Sequence, residues 1–146
     1  MSIETKLAEL GITLPDAPAP AANYVPYVIS GNMLFVSGQI SAQKGKLGAD
    51  LAVEAGAEAA RGCGLALLAQ AQKALGSLDR VKQVVKLGGF VNSTPEFTDQ
   101  PEVINGCSNL MVEVFGDRGR HARAAVSAPA LPRGVAVEVE AIFEIA

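Results

Sequence analysis

Arg123 lies in the run Ala122-Arg123-Ala124-Ala125-Val126-Ser127, and a second run begins a few residues later at Val135. In the second run Val135, Val137, Val139, Ala141 and Phe143 share one face of a strand, and Glu138 and Glu140 point the other way. An arginine is a planar, permanently charged fork that meets a carboxylate through two parallel hydrogen bonds. A cationic fork beside an acid can act as a substrate clamp. The intervening Leu131-Pro132-Arg133-Gly134 carries turn residues, so the two runs are predicted to fold back antiparallel and bring the guanidinium close to the acids. The same pattern also describes a cross-strand salt bridge on a solvated sheet face, and these residues alone leave both readings open.

Other chemistries find less support. Cys63 and Cys107 fall in helical patterns without metal-type spacing and read as buried thiols. Gly56, Gly62 and Gly64 follow no strand-to-helix turn, so they form no phosphate loop. No metal and no cofactor is expected. His121 has Arg118, Arg120, Arg123 and Arg133 nearby, a grouping that could meet phosphate or RNA. Against this stand the lack of a second histidine, the lack of interleaved aromatics and a net charge of -3. Nucleic acid is therefore not an expected partner. Asn92-Ser93-Thr94 matches a glycosylation sequon but reads as a loop, since no secretory segment precedes it.

These residues need a scaffold, and 146 residues are enough for one domain with an ordinary core. The chain is read as a single domain over 1–146, with a helix and Pro-rich arm over 1–23 and a core over 24–144. No apolar run approaches the roughly 18 residues that span a membrane, so no membrane partner and a cytoplasmic location are expected. The 49% hydrophobic content against 18% charged residues suggests more apolar surface than a small monomer needs, and hence oligomerisation. Ser2 caps a short helix carrying Ile3, Leu7 and Leu10 and ending at Gly11. The prolines of residues 15–22 forbid a helix or a central strand there. Strands are predicted over Tyr24–Ile29 and Met33–Ser37 around a Ser30-Gly31-Asn32 turn, with Gly38-Gln39 releasing the chain into a loop. A long helix over Glu54–Leu75, a central strand over Val81–Val91 and a helix over Pro101–Phe115 follow. Two strands complete a mixed sheet with helices on one face and a hairpin at each end.

Two stretches in this order carry a resemblance. Gly31-Asn32-Met33-Leu34-Phe35-Val36-Ser37-Gly38-Gln39-Ile40, and the Arg123 strand followed by Leu131-Pro132 and Val137-Glu138-Val139-Glu140-Ala141-Ile142, resemble the first hairpin and the C-terminal motif of the RidA/YjgF (L-PSP) family over roughly residues 24–144. The resemblance implies an α+β, chorismate-mutase-like fold, a homotrimer with clefts between subunits, and hydrolytic deamination of reactive enamines and imines to 2-oxo acids and ammonia. It places Arg123 on the substrate carboxylate and Glu138 on the attacking water, with Tyr24, Gly38 and Asn105 lining the cleft. The alternatives it implies are a noncatalytic 2-oxo acid or metabolite-binding protein and, with less support, an endoribonuclease. Departures mark a divergent branch. Ala125 replaces the cysteine of archetypal members, which excludes thiol chemistry there, and His121 replaces a proline. The segment between Phe97 and Asn105 is about three residues longer, and the N-terminal helix and arm are additions.

Overall fold

In the computed structural model residues 1–20 and 22–146 are described; Ala21, part of the predicted arm, lies outside the described residues. The elements run α1 (Ile3–Glu9), β1 (Tyr27–Ser30), β2 (Met33–Ile40), α2 (Val53–Leu75), β3 (Val81–Asn92), α3 (Gln100–Phe115), β4 (Ala122–Ala128) and β5 (Val137–Ile145). The strands form one sheet in the order β1-β2-β5-β3-β4, and α2 and α3 pack on one face. This is the α+β, chorismate-mutase-like architecture expected from the sequence, with α1 ahead of the first strand.

Local signals produce most of these elements. Ser2 caps α1 by accepting from the Thr5 amide at 3.0 Å, and Ile3 and Leu7 enter the core. Glu4 joins α1 to the corner between α2 and β3, accepting from the Ser77 hydroxyl (2.7 Å), the Leu78 amide (2.9 Å) and Gln72 Nε2 (3.2 Å). Burial pushes the Glu4 pKa up, but these donors outweigh it and hold the carboxyl below its usual value. The small-residue face of α2 allows α3 to approach closely. A Cβ on Gly106 would overlap the Ala57 carbonyl oxygen, and one on Gly64 would come within 2.8 Å of Leu110.

The C-terminal hairpin does not form. β4 pairs parallel with β3, and β5 enters antiparallel between β2 and β3, so β3 separates the Arg123 strand from the Glu138 strand. Hairpin loops seldom exceed about five residues, whereas the 129–136 connection is long enough to pass the end of β3. The interior place suits β5 because Val137, Val139, Ala141, Phe143 and Ile145 are all buried, and a strand with so apolar a face gains most between two neighbours.

The N-terminal hairpin also differs at its ends. β1 starts at Tyr27, because Pro26 has no N–H for a ladder, and Tyr24 lies before the strand. β2 does not end at Ser37 but continues to Ile40 through a bulge in which Ser37 and Gly38 together oppose Glu140.

Candidate functional site

Register assigns the side chains to faces. Leu87 pairs with Arg123 on one side and Ala141 on the other, and Leu87 and Ala141 are buried under the helices. Arg123 therefore points to the helix-covered face. Glu138 lies three residues from Ala141, in the row Ile40–Glu138–Phe90–Val126 on the open face. Within one chain the arginine and the acid stand on opposite sides of the sheet. The juxtaposition expected from the sequence is absent, because it depended on a hairpin that is not there.

On the helix face Arg123 meets the first turns of α3. Its Nη1 donates to Asn105 Oδ1 (2.9 Å) and to Ser108 Oγ (3.1 Å), and Nη2 donates to the Pro101 carbonyl (3.2 Å). Asn105 and Ser108 are three residues apart on one helix face, which lets both reach the same nitrogen. The Nε–H and one of the two Nη2–H make no hydrogen bond among the described residues, which leaves donors for an anionic group such as a carboxylate. Arg123 is half-buried, so these donors meet less competition from water than exposed ones.

His121 stands behind this group, with Nδ1 2.6 Å from the Gly119 carbonyl and Nε2 2.8 Å from Ser108 Oγ. Burial lowers its pKa most; the Gly119 hydrogen bond opposes the shift and the Arg123 charge adds to it. The native state thus binds its proton less readily than the unfolded chain. This group's contribution to stability is present above the unfolded value and is lost as pH falls below it. Unfolding midpoints measured between pH 8 and pH 5 are expected to fall toward acid, with a smaller fall in His121→Gln.

A second group gathers around Glu138. A cavity of ≈ 520 Å³ is lined by Tyr24, Gly38, Glu138, Arg133, Gln70 and the Pro18–Pro20 stretch of the arm, among others. Gly38 has a specific role there: a Cβ on it would overlap Glu138 Oε2, so the missing side chain makes room for the carboxylate. Burial, and then the charge of Glu140, raise the Glu138 pKa. Such a carboxylate accepts a proton more readily than one in water. Gln70 Nε2 donates to the Pro18 carbonyl at 2.6 Å and ties the arm over the cavity.

The five residues singled out in the sequence therefore separate into two groups. Arg123 with Asn105 is one; Tyr24, Gly38 and Glu138 form the other. Ser108, the Pro101 carbonyl, Gln70 and the arm itself were missed. Of these, only Ser108 had a readable signal, its helical spacing from Asn105. The basic grouping around His121 does not converge. Arg118 donates to the Val81 carbonyl, Arg120 pairs with Asp117, and Arg133 lines the cavity beside Glu138. Cys63 and Cys107 are fully buried; burial foremost pushes the Cys63 thiol up to about 12 and raises Cys107 further, so neither is a nucleophile at neutral pH.

A family model described as YjgF/chorismate_mutase-like, putative endoribonuclease, matches residues 4–144. The chain belongs to the YjgF/RidA family. A YjgF/RidA relative, Protein TCP17 of Trypanosoma cruzi, is 53% identical over 98% of this chain and 94% of its own. The crystal structure of protein Atu1372 of Agrobacterium tumefaciens, of unknown function, superposes with a TM-score of 0.92 at 50% identity, covering 99% of this chain and 92% of that one. TdcF of E. coli, solved with bound serine, superposes with a TM-score of 0.65 at 26% identity, covering 89% of this chain and 94% of that one. The matches to TCP17 and Atu1372 take in 98% and 99% of this chain and so extend over the N-terminal helix and arm, and the family model begins at residue 4.

Proposed function

We propose that this protein hydrolyses reactive enamines and imines of amino acids to 2-oxo acids and ammonia, in clefts completed by a second copy of the chain. The observation that carries this reading is the division of the site. Arg123 keeps Nε and Nη2 donors for a carboxylate on one face, while Glu138, on the other, sits with Tyr24 and Gly38 around a cavity. Among the described residues the Arg123 half has no carboxylate to take a proton from water, and the Glu138 half, although Arg133 also lines its cavity, lacks a guanidinium braced as Arg123 is by Asn105 and Ser108. A neighbouring copy supplies what each lacks.

Two features support assembly as a homotrimer. Val28, Phe35, Ile40 and Val126 are large hydrophobic side chains left exposed on the open face. Family membership points to a trimer with shared clefts, and the serine bound to TdcF favours a small amino-acid-like ligand. In the cleft Arg123 binds the substrate carboxylate and Asn105 keeps the guanidinium in place. Glu138 holds a water against the imine carbon and takes its proton as the C–O bond forms. The tetrahedral carbinolamine then loses ammonia once its nitrogen is protonated. An imine is already electrophilic, so positioning is the protein's main contribution and no covalent intermediate is required.

The test generates imines in situ with an amino-acid oxidase and follows their loss against the spontaneous rate. Wild type should accelerate the loss, and Glu138→Gln should reduce the acceleration roughly 100-fold, the usual scale for a general base. Arg123→Ala and Glu138→Gln chains, co-expressed so that they assemble together, should regain about a quarter of wild-type activity, because random mixing in a cyclic oligomer leaves that share of clefts with both groups. No recovery in demonstrably mixed oligomers rules out a shared cleft. Binding of 2-oxo acids by wild type without acceleration of imine loss would make this a metabolite-binding protein instead.

A further inference from the structure

Arg123 is aimed through a proton-ordered chain that starts at a backbone carbonyl. The Gly119 carbonyl can only accept, so the proton between it and His121, at 2.6 Å, is on Nδ1. That leaves Nε2 of the neutral ring as an acceptor, and the Ser108 hydroxyl, 2.8 Å away, must donate to it. With its single proton committed, Ser108 Oγ presents only lone pairs to Arg123 Nη1 at 3.1 Å. Asn105 Oδ1 and the Pro101 carbonyl complete the set, and Nε and one Nη2 hydrogen stay without a bond among the described residues. We propose that Ser108 and His121 are positioning residues that set the plane of the Arg123 guanidinium, and through it the affinity for a substrate carboxylate.

The inference rests on the carboxylate role of Arg123 proposed above. It assigns a use to the chain's one histidine, whose ring bridges the Gly119 carbonyl and the Ser108 hydroxyl. Both ring nitrogens are occupied, and the ring lies behind the guanidinium, so His121 acts on the ligand only through Ser108.

Glutamine and asparagine at position 121 separate this role from a purely structural one. Glutamine can place an amide oxygen where Nε2 now accepts from Ser108, whereas asparagine can reproduce only the Nδ1 bond to Gly119 that holds the corner before β4. The experiment titrates pyruvate and 2-oxobutanoate into wild type, Ser108→Ala, His121→Gln, His121→Asn and Arg123→Ala by calorimetry, with thermal unfolding of each as the control for folding. Ser108→Ala and His121→Asn should bind roughly 5- to 20-fold more weakly, about 1–1.8 kcal/mol, near the upper end for one ordinary hydrogen bond. His121→Gln should stay within about twofold of wild type, since it keeps that bond. Wild-type affinity in folded Ser108→Ala, or equal loss in the two histidine variants, overturns the positioning role while leaving the clamp intact. Equal binding by Arg123→Ala and wild type, or no binding by wild type, removes the clamp reading and this inference with it.

Discussion

Replacing Arg123 by alanine is expected to cut kcat/KM for imine hydrolysis by roughly 100- to 1000-fold, because two charge-assisted hydrogen bonds to the substrate carboxylate disappear together. Arg123→Lys should recover little of this. An ammonium keeps the charge, but it cannot satisfy Asn105, Ser108 and the Pro101 carbonyl and still offer a two-toothed edge to a ligand. The loss should fall on carboxylate-bearing substrates. A neutral imine of similar size should react at nearly the same rate with wild type and with the alanine variant. The measurement is initial imine loss for matched acid and amide substrates, and equal losses for both would remove the carboxylate grip.

The second large effect concerns stability. Gly106→Ala adds a methyl that would overlap the Ala57 carbonyl oxygen, and a backbone atom cannot rotate away. Alanine's helix propensity favours the variant by up to about 1 kcal/mol, but forcing α2 and α3 apart costs about 3 kcal/mol or more, the upper range for overpacking. Net destabilisation of about 2 kcal/mol follows. Gly62→Ala is the control, because nothing stands within 4 Å of the added methyl. There only the propensity gain remains, a stabilisation of about 0.5–1 kcal/mol. Urea unfolding at one fixed protein concentration reads both, and a stabilised Gly106→Ala would refute the close helix crossing. Asn105 and Ser108 flank this position on α3, so Gly106→Ala should also weaken the support of Arg123.

Much of this protein was legible in its residues because the signals are local. The capping serine of α1, the small-residue run of α2, the Gly116 stop of α3 and the alternation of β5 each act within a few positions, where propensity and periodicity operate. The predicted helix over 54–75 and strand over 81–91 differ from α2 and β3 by a single residue. The Ser-Gly-Gln and Val-Glu-Val-Glu stretches likewise pointed to the family before any coordinate did.

Tertiary structure alone decided where β5 goes. Leu131-Pro132-Arg133-Gly134 marks a change of direction, but a turn does not say which strand comes next in the sheet. That depends on the non-local burial gained by pairing β5 with both β2 and β3. Inserting β3 between the Arg123 and Glu138 strands, with the parity of their register, put the two side chains on opposite faces. The partners of Arg123 were hidden for the same reason. Asn105 and Ser108 advertise a shared helix face, but only the parallel pairing of β4 with β3 shows that this face lies over the arginine. The arm over the cavity is the third case: its prolines exclude regular structure, while Gln70, far away in the chain, holds the Pro18 carbonyl by a hydrogen bond that no local signal announces. Residue types specify what each segment can form; the burial shared among distant segments specifies which of them meet.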